Sequence, residues 1–375
     1  MKIGIITFHR AHNYGAVLQA YALKMHLVNK GHEVSFIDYW PDYRKGMYSL
    51  INFKFDDKRN LFYKMVKRTI STSLDLPFKF KRHARFQRFI RKRLGIIGNK
   101  GIKFGNQILD AYDAYIYGSD QIWRFNRFSD YSGFDPVYWG KYPVGSKGLK
   151  IAYAASMGRM NVGKDDFDFI KTHLQNFNAI SVRENQLLDL VKPYSTNTIV
   201  QVLDPVFLLE KKQWEQLIPD NEKQEPYLLL YNLTRSKQAT EAAERIARNK
   251  GYKIIELTGG VNFSRVGQRY KQNYGPIEFL TSIKHASFVI ATSFHGVAFS
   301  ILFERQFLSV DMGDNLARVT SLLSNLGIEN RYLADLNSLS NIELIDYNKV
   351  NGLLLQDVAK SKEFLDVNLN NDLPK

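Results

Sequence analysis

Apolar runs of strand length alternate with amphipathic stretches along most of the chain. Lys2–Phe8 (KIGIITF) is a continuous apolar run, and Tyr14–Lys30 carries Val17, Leu18, Tyr21, Ala22 and Met25 at helical spacing before Gly31 stops it. Glu33–Asp38 is strand-like again. Strand, helix and strand in such quick succession make a βαβ unit, and βαβ units build parallel sheets.

The rhythm breaks over residues 41–105, a basic and aromatic insertion with helices expected at Leu61–Ser71 and Phe78–Leu94. It then resumes. Ala114–Tyr117, Lys150–Ser156, Ala179–Val182 and Ile199–Val202 read as strands, and Asp165–Gln175 and Glu184–Val191 as helices. Asn221–Glu225 is a polar break before Pro226. Beyond it, strands are expected at Tyr227–Tyr231, Lys253–Leu257, Ser287–Ala291 and Phe307–Asp311. Helices are expected at Lys237–Lys250, Pro276–Lys284, His295–Phe303, Leu316–Asn325 and, as a tail, Asn348–Leu369. The fold class is α/β. Two successive halves suggest two Rossmann-like domains, residues 1–215 and 222–345, followed by a helical tail at 346–375. Alternation alone also fits one large doubly wound sheet.

Composition narrows the chemistry. At 375 residues the chain suits two cores, and with no cysteine it has no disulfide, thiolate metal site or cysteine nucleophile. The apolar run at the N-terminus meets His9, Arg10 and His12 too early for a secretory leader. No stretch approaches the roughly 18 apolar residues of a membrane span. The expectation is a soluble, cytoplasmic protein. The net charge is +15, and residues 51–100 hold 15 Lys/Arg against 3 acidic residues, so the basicity is a local patch.

Ligands of parallel sheets bind beyond the carboxyl ends of the strands. Three polar turns are expected there: His9–Gly15 (HRAHNYG), Gly118–Gln121 (GSDQ) and Thr292–Gly296 (TSFHG). Each is expected to precede a helix, whose free N–H groups and dipole favour an anion. Gly15, Ser293 and Gly296 would let a phosphate or carboxylate approach the backbone. The chain has neither GxGxxG nor GxxxxGK[ST], which argues against a standard dinucleotide site or a P-loop. Plainer readings exist for each residue. Asn13 and Asp120 also fit helix caps, His295 a structural histidine, and Arg183-Glu184 an ion pair. The stretch Phe78–Leu94 fits a helix docking Phe86, Phe89, Ile90 and Leu94 on the core, or a patch drawn to anionic lipid. No nucleic-acid module accompanies it, and no nucleic-acid partner is expected.

HNYGAVLQAYAL (12–23), YGSDQIW (117–123), SVRE (181–184), LDPVFLL (203–209) and ATSFHGVAFSILF (291–303) together resemble the polysaccharide pyruvyl transferase family. The resemblance implies a GT-B-like fold, with two Rossmann-like domains facing a cleft. It also implies phosphoenolpyruvate as donor and a sugar hydroxyl pair as acceptor, the product being a pyruvate ketal on a surface-polysaccharide precursor. The acceptor would be lipid-linked and reached from the inner face of an anionic membrane. No metal and no resident cofactor are implied. His295 and Arg183 match the family's donor-binding histidine and arginine. Where ketal-forming members carry an arginine two residues before the histidine, this chain has Ser293, so Arg265, Arg269 or Arg318 would have to replace it.

Ketal chemistry then assigns roles. His295 serves as acid or phosphate-handling group, Arg183 grips the carboxylate, and Asp120 activates a sugar hydroxyl. Asn13, Tyr14, Gly15, Ser119, Thr292, Ser293 and Gly296 form the substrate-binding set. Two rivals remain: a nucleotide-sugar glycosyltransferase with the Gly259-Gly260 turn at its diphosphate, and a non-catalytic polyanion- or lipid-binding protein built on residues 51–100.

Overall fold

The computed structural model describes residues 1–44, 47, 61–98, 101–159, 162–219, 225–262, 265, 267–313, 316–341 and 343–370, the side chains of 61–74, 340 and 341 excepted. The break expected at Asn221–Glu225 therefore lies, but for Glu225, outside the described residues.

The first half contains β1 (Lys2–Ile6), α1 (Tyr14–Asn29), β2 (Glu33–Phe36), α2 (Leu61–Phe89), β3 (Ala114–Asp120), β4 (Asn126–Phe128), β5 (Tyr131–Gly133) and β6 (Leu149–Ala155). α3 (Asp166–Leu174), β7 (Ala179–Val182), α4 (Asn185–Val191), β8 (Ile199–Gln201) and α5 (Lys211–Glu215) follow. The second half contains β9 (Tyr227–Asn232), α6 (Lys237–Lys250), β10 (Lys253–Thr258), α7 (Pro276–Lys284), β11 (Phe288–Ala291) and α8 (Phe294–Leu302). β12 (Phe307–Val310), α9 (Leu316–Asn325), β13 (Tyr332–Leu333) and α10 (Tyr347–Asn370) complete the order.

Two parallel sheets result. The first runs β2-β1-β3-β6-β7-β8 and the second β10-β9-β11-β12-β13. In each, the chain leaves its first strand to one side and returns on the other. β1 thus lies between β2 and β3, with Ile5 opposite Ile116, and β9 lies between β10 and β11, with Leu229 opposite Val289. These are two Rossmann-like domains, each with a topological switch point.

α1 lies at the seam between the domains. Every residue from Tyr14 to Leu23 is buried, more than a single apolar stripe requires, because one side of α1 packs on the first sheet and the other on α7 and α8. Tyr14 stacks on Phe279 with ring centres 4.7 Å apart. α10 returns to the first domain, where Leu365 and Leu369 join the core of Ile3, Ile5 and Leu23. The Leu203 N–H donates to Ser361 Oγ of α10 at 2.9 Å.

Three local expectations need correction. The helices expected at Leu61–Ser71 and Phe78–Leu94 form one helix, α2, which runs through Pro77 and ends in a wider π-helical turn, Ile90–Leu94. A proline inside a helix costs about 3 kcal/mol. Burial of Phe86, Phe89, Ile90 and Leu94, worth roughly 1.5–3 kcal/mol each, offsets it. Second, Gly118-Ser119-Asp120 belongs to β3 itself, and a β-hairpin follows it rather than a helix. An aromatic cluster holds that region, with Trp123 stacked on Trp139 at 4.4 Å and Phe134 edge-on to Trp139. Third, Asp120 caps no helix; its Oδ1 accepts from the neighbouring Gln121 N–H.

Candidate functional site

The two switch points face each other across one cavity of about 300 Å³. Phe8, Asn13, Asp120 and Gln121 reach it from the β1/β3 crevice, and Tyr231, Ser293, Phe294 and His295 from the β9/β11 crevice. Arg44, Arg124 and Arg318 add positive charge to its wall.

The strand-to-helix turn before α8 builds one side. Ser293 is the N-cap, its Oγ accepting from the Gly296 N–H at 3.1 Å. The first-turn N–H groups of α8 lack partners within the helix, as at any helix start, so this wall suits an anion. His295 follows at once. Its Nε2 lies buried, 3.5 Å from Asp204 Oδ2. The ring packs so closely on α1 that a Cβ at Gly15 would fall 2.0 Å from Nδ1. Gly15 thus makes room for a histidine of the other domain rather than for a ligand. We expect Gly15→Ala to displace the imidazole and lower kcat/KM about 10²-fold. The double variant Gly15→Ala/His295→Gln should be no worse than His295→Gln alone, which steady-state kinetics on the three proteins would check.

Below His295 lies a buried charge network. Arg183 Nη1 is 3.0 Å from Asp204 Oδ2, and its Nη2 donates to Ser119 Oγ at 2.6 Å. Ser119 Oγ donates in turn to Ala154 O at 2.8 Å, and the Ser119 N–H donates to Gln19 Oε1 at 3.2 Å. Burial opposes ionisation of Asp204, but Arg183 and His295 outweigh it and hold its pKa at about 2. Beside it, Ser156 donates to Glu184 Oε1, and Arg318 Nε stands 3.7 Å from the same oxygen. Burial pushes the Glu184 carboxyl up, against the pull of Arg318 and Arg183. Burial also lowers Arg318, reinforced by Arg183 and opposed by Glu184, Asp120 and Asp204.

The structure separates the expected site residues into two groups. Asn13, Asp120, Ser293 and His295 line the cavity, and Asn13 also caps α1, accepting from the Ala16 N–H at 3.3 Å. Arg183 does not reach the wall. It is 3% exposed, covered by the Phe294 ring at 5.1 Å, and its two-pronged grip is spent on Asp204 and Ser119. Ser119 is buried beneath the site, and Thr292 Oγ1 accepts from the Leu233 N–H at 2.8 Å, tying down a loop. Tyr14 faces the seam, where its hydroxyl donates to Tyr274 O and receives Arg82. A Cβ at Gly296 would meet Ala291 and Tyr231 below 3 Å, so this glycine serves helix packing.

Of the three arginines considered as replacements at position 293, only Arg318 lies on the cavity wall. Arg265 and Arg269 pair with Glu256, at 2.6 and 3.2 Å. Sequence reasoning missed Asp204, whose cap-like place before Pro205 gave no hint of its partners, and Arg44, which packs 3.8 Å over the Phe8 ring. Among the described residues, no group of three His, Asp or Glu side chains is placed to hold a metal ion.

Two parallel α/β domains, with their switch points facing across one polar cleft, define a GT-B-like protein. The chain belongs to the polysaccharide pyruvyl transferase family, whose model matches residues 13–314. Comparison with curated proteins gives no match. Among solved structures, UDP-GlcNAc 2-epimerase from Neisseria meningitidis bound to UDP-GlcNAc is similar at 10% identity and a TM-score of 0.49, covering 99% of this chain and 100% of that one. UDP-N-acetylglucosamine 2-epimerase from Rickettsia bellii is similar at 10% identity and a TM-score of 0.45, with 97% of each chain covered. MurG from Acinetobacter baumannii is similar at 10% identity and a TM-score of 0.32, with 98% of each covered.

Proposed function

We propose that the protein transfers the pyruvyl group of phosphoenolpyruvate to a pair of hydroxyls on a sugar, forming a pyruvate ketal on a lipid-linked precursor of a surface polysaccharide. The observation that carries this reading is the cavity itself, where Arg318, His295 and the start of α8 share a wall with the carboxylate of Asp120. Family membership supports the reaction class.

The chemistry balances as follows. A proton adds to the methylene carbon of the donor, and the oxygen of the first hydroxyl bonds to C2. The second hydroxyl oxygen then bonds to C2 as the C2–O bond to phosphate breaks. Of the two hydroxyl protons lost, one is matched by the new methyl hydrogen and one leaves with phosphate. His295 supplies the proton, Asp120 accepts from the attacking hydroxyl, and Arg318 with the α8 N–H groups receives the donor's anionic groups. Arg183 acts through Asp204, as a positioning residue.

The test is phosphate release from phosphoenolpyruvate together with the mass of a ketal on a sugar acceptor. We expect Arg318→Gln to raise the KM for phosphoenolpyruvate at least about tenfold, the scale of a lost charge-assisted contact. A second reading, nucleotide-sugar glycosyl transfer, is favoured by another cavity of about 240 Å³ at the Gly259-Gly260 turn, lined by Arg235 and Arg265. A thermal shift with a nucleotide sugar and none with phosphoenolpyruvate would select that reading instead.

A further inference from the structure

The basic stretch has two faces. The inner face of α2 is spent on the fold. Phe86, Phe89, Ile90 and Leu94 are buried, and Arg82 donates to Tyr14 Oη and to Tyr274 O, so this face clasps both domains at their seam. Arg85 donates to Asn273 O at 2.7 Å and pairs with Glu278 at 2.9 Å.

The outer face has no such use. Lys81, Arg88, Arg91, Lys92 and Arg93 are exposed and take part in no ion pair or side-chain hydrogen bond among the described residues. Lys81, Arg88 and Arg91/Lys92 recur at seven and then three or four residues, which places them on one side of the helix. Large apolar side chains flank the cations, Phe80 at 54% exposure and Ile97 at 86%. Leaving these four cations on one side of the helix with no ion pair among the described residues costs self-repulsion that nearby acids would relieve. The only acid from position 75 to 98 is Asp75, which pairs with Lys79 at 3.5 Å.

We propose that this outer face docks the protein on an anionic lipid surface. The cations supply the attraction to phosphate head groups, and Phe80 and Ile97 enter the interface, where an exposed aromatic or aliphatic side chain leaves water. That pairing favours a membrane over a nucleic acid, whose backbone would use the charges and leave Ile97 in water. The contact is peripheral, since no described helix is long and apolar enough to cross a membrane. The opposite face of the helix holds Tyr14, next to Asn13 of the cavity wall, so docking puts α2 between the lipid surface and the domain seam. The docking stands independently of the reaction proposed above, since it is read without substrate.

The experiment is flotation of the full chain with vesicles of phosphatidylglycerol and phosphatidylcholine, and with phosphatidylcholine alone. We expect binding to the anionic vesicles at low salt, loss of binding at high salt, and none to the neutral vesicles. Arg88→Gln/Arg91→Gln/Lys92→Gln should weaken partitioning about 10²-fold, at roughly fivefold per cation. Phe80→Ser/Ile97→Ser should weaken it while leaving binding to duplex DNA, if any, unchanged. All these residues are exposed and outside the cavity, so circular dichroism and activity on a soluble acceptor should stay as in the wild type. Absence of flotation at low salt would overturn the proposal. So would flotation that the Phe80/Ile97 variant leaves intact alongside equal binding to DNA, which would mark the face as a general polyanion surface.

Discussion

Asp204→Asn should destabilise the fold by roughly 3–5 kcal/mol, the usual cost of removing one partner from a buried ion pair. Asp204 is 1% exposed and faces both Arg183 and His295. Asparagine has nearly the same shape and caps helices as well as aspartate does, so acceptance from the Val206 N–H, 3.0 Å away here, survives the change. What goes is the charge, and Arg183 stays behind in a dry site without its counter-ion. Urea unfolding at pH 7 measures the loss. The pH dependence supplies a second reading. The folded pKa of about 2 lies below the ordinary 3.8, so the stabilisation is present above about pH 4 and drains away as the pH falls toward 2. About 2 kcal/mol of the difference between the two proteins should vanish over that window. Other groups, including Glu184 with its opposite shift, titrate alike in both proteins and cancel. A variant within about 0.5 kcal/mol of wild type would mean that Arg183 finds other partners and that the network is not built around Asp204.

The sequence reveals the sheets and hides the pairings across the cleft. Apolar runs such as Ile3–Ile6 and Leu228–Tyr231 bury both faces of their strands, and the amphipathic segments between them report helices. These are local signals of known period. The three polar turns could be placed at strand ends for the same reason. The hairpin after Asp120 was not legible, because short strands carry little pattern and its aromatic cluster joins residues as distant as Trp123 and Phe169. Nor was the sorting of the arginines. Arg183 sits in a turn that looks open to ligand, yet Phe294 of the other domain closes over it. Arg318, in an unremarkable amphipathic helix, reaches the wall. Gly15 reads as a ligand-approach glycine because its neighbour, His295, comes from the other domain. The misses at Arg183 and Gly15 concern contacts between the two domains, which no periodicity within either one encodes.

His295→Gln should lower turnover by about 10²-fold or more while moving the melting temperature little. Imidazole can give a proton and regain it within one cycle. The amide of glutamine cannot. The structure explains why stability should survive. The start of α8 is capped by Ser293, which the change leaves alone, and a glutamine amide can still donate toward Asp204, keeping that carboxylate partnered. The side chain stays close in size above Gly15, so the seam between α1 and α8 need not open. Donor binding should weaken less than turnover, because Arg318 and the first-turn N–H groups of α8 still face the anion. The measurement is kcat and KM for phosphoenolpyruvate alongside a thermal melt of the same preparation. A variant that melts far below wild type yet turns over at full rate when folded would make His295 a structural residue, holding Asp204 and Gly15 in place, and would remove the proton donor from the mechanism.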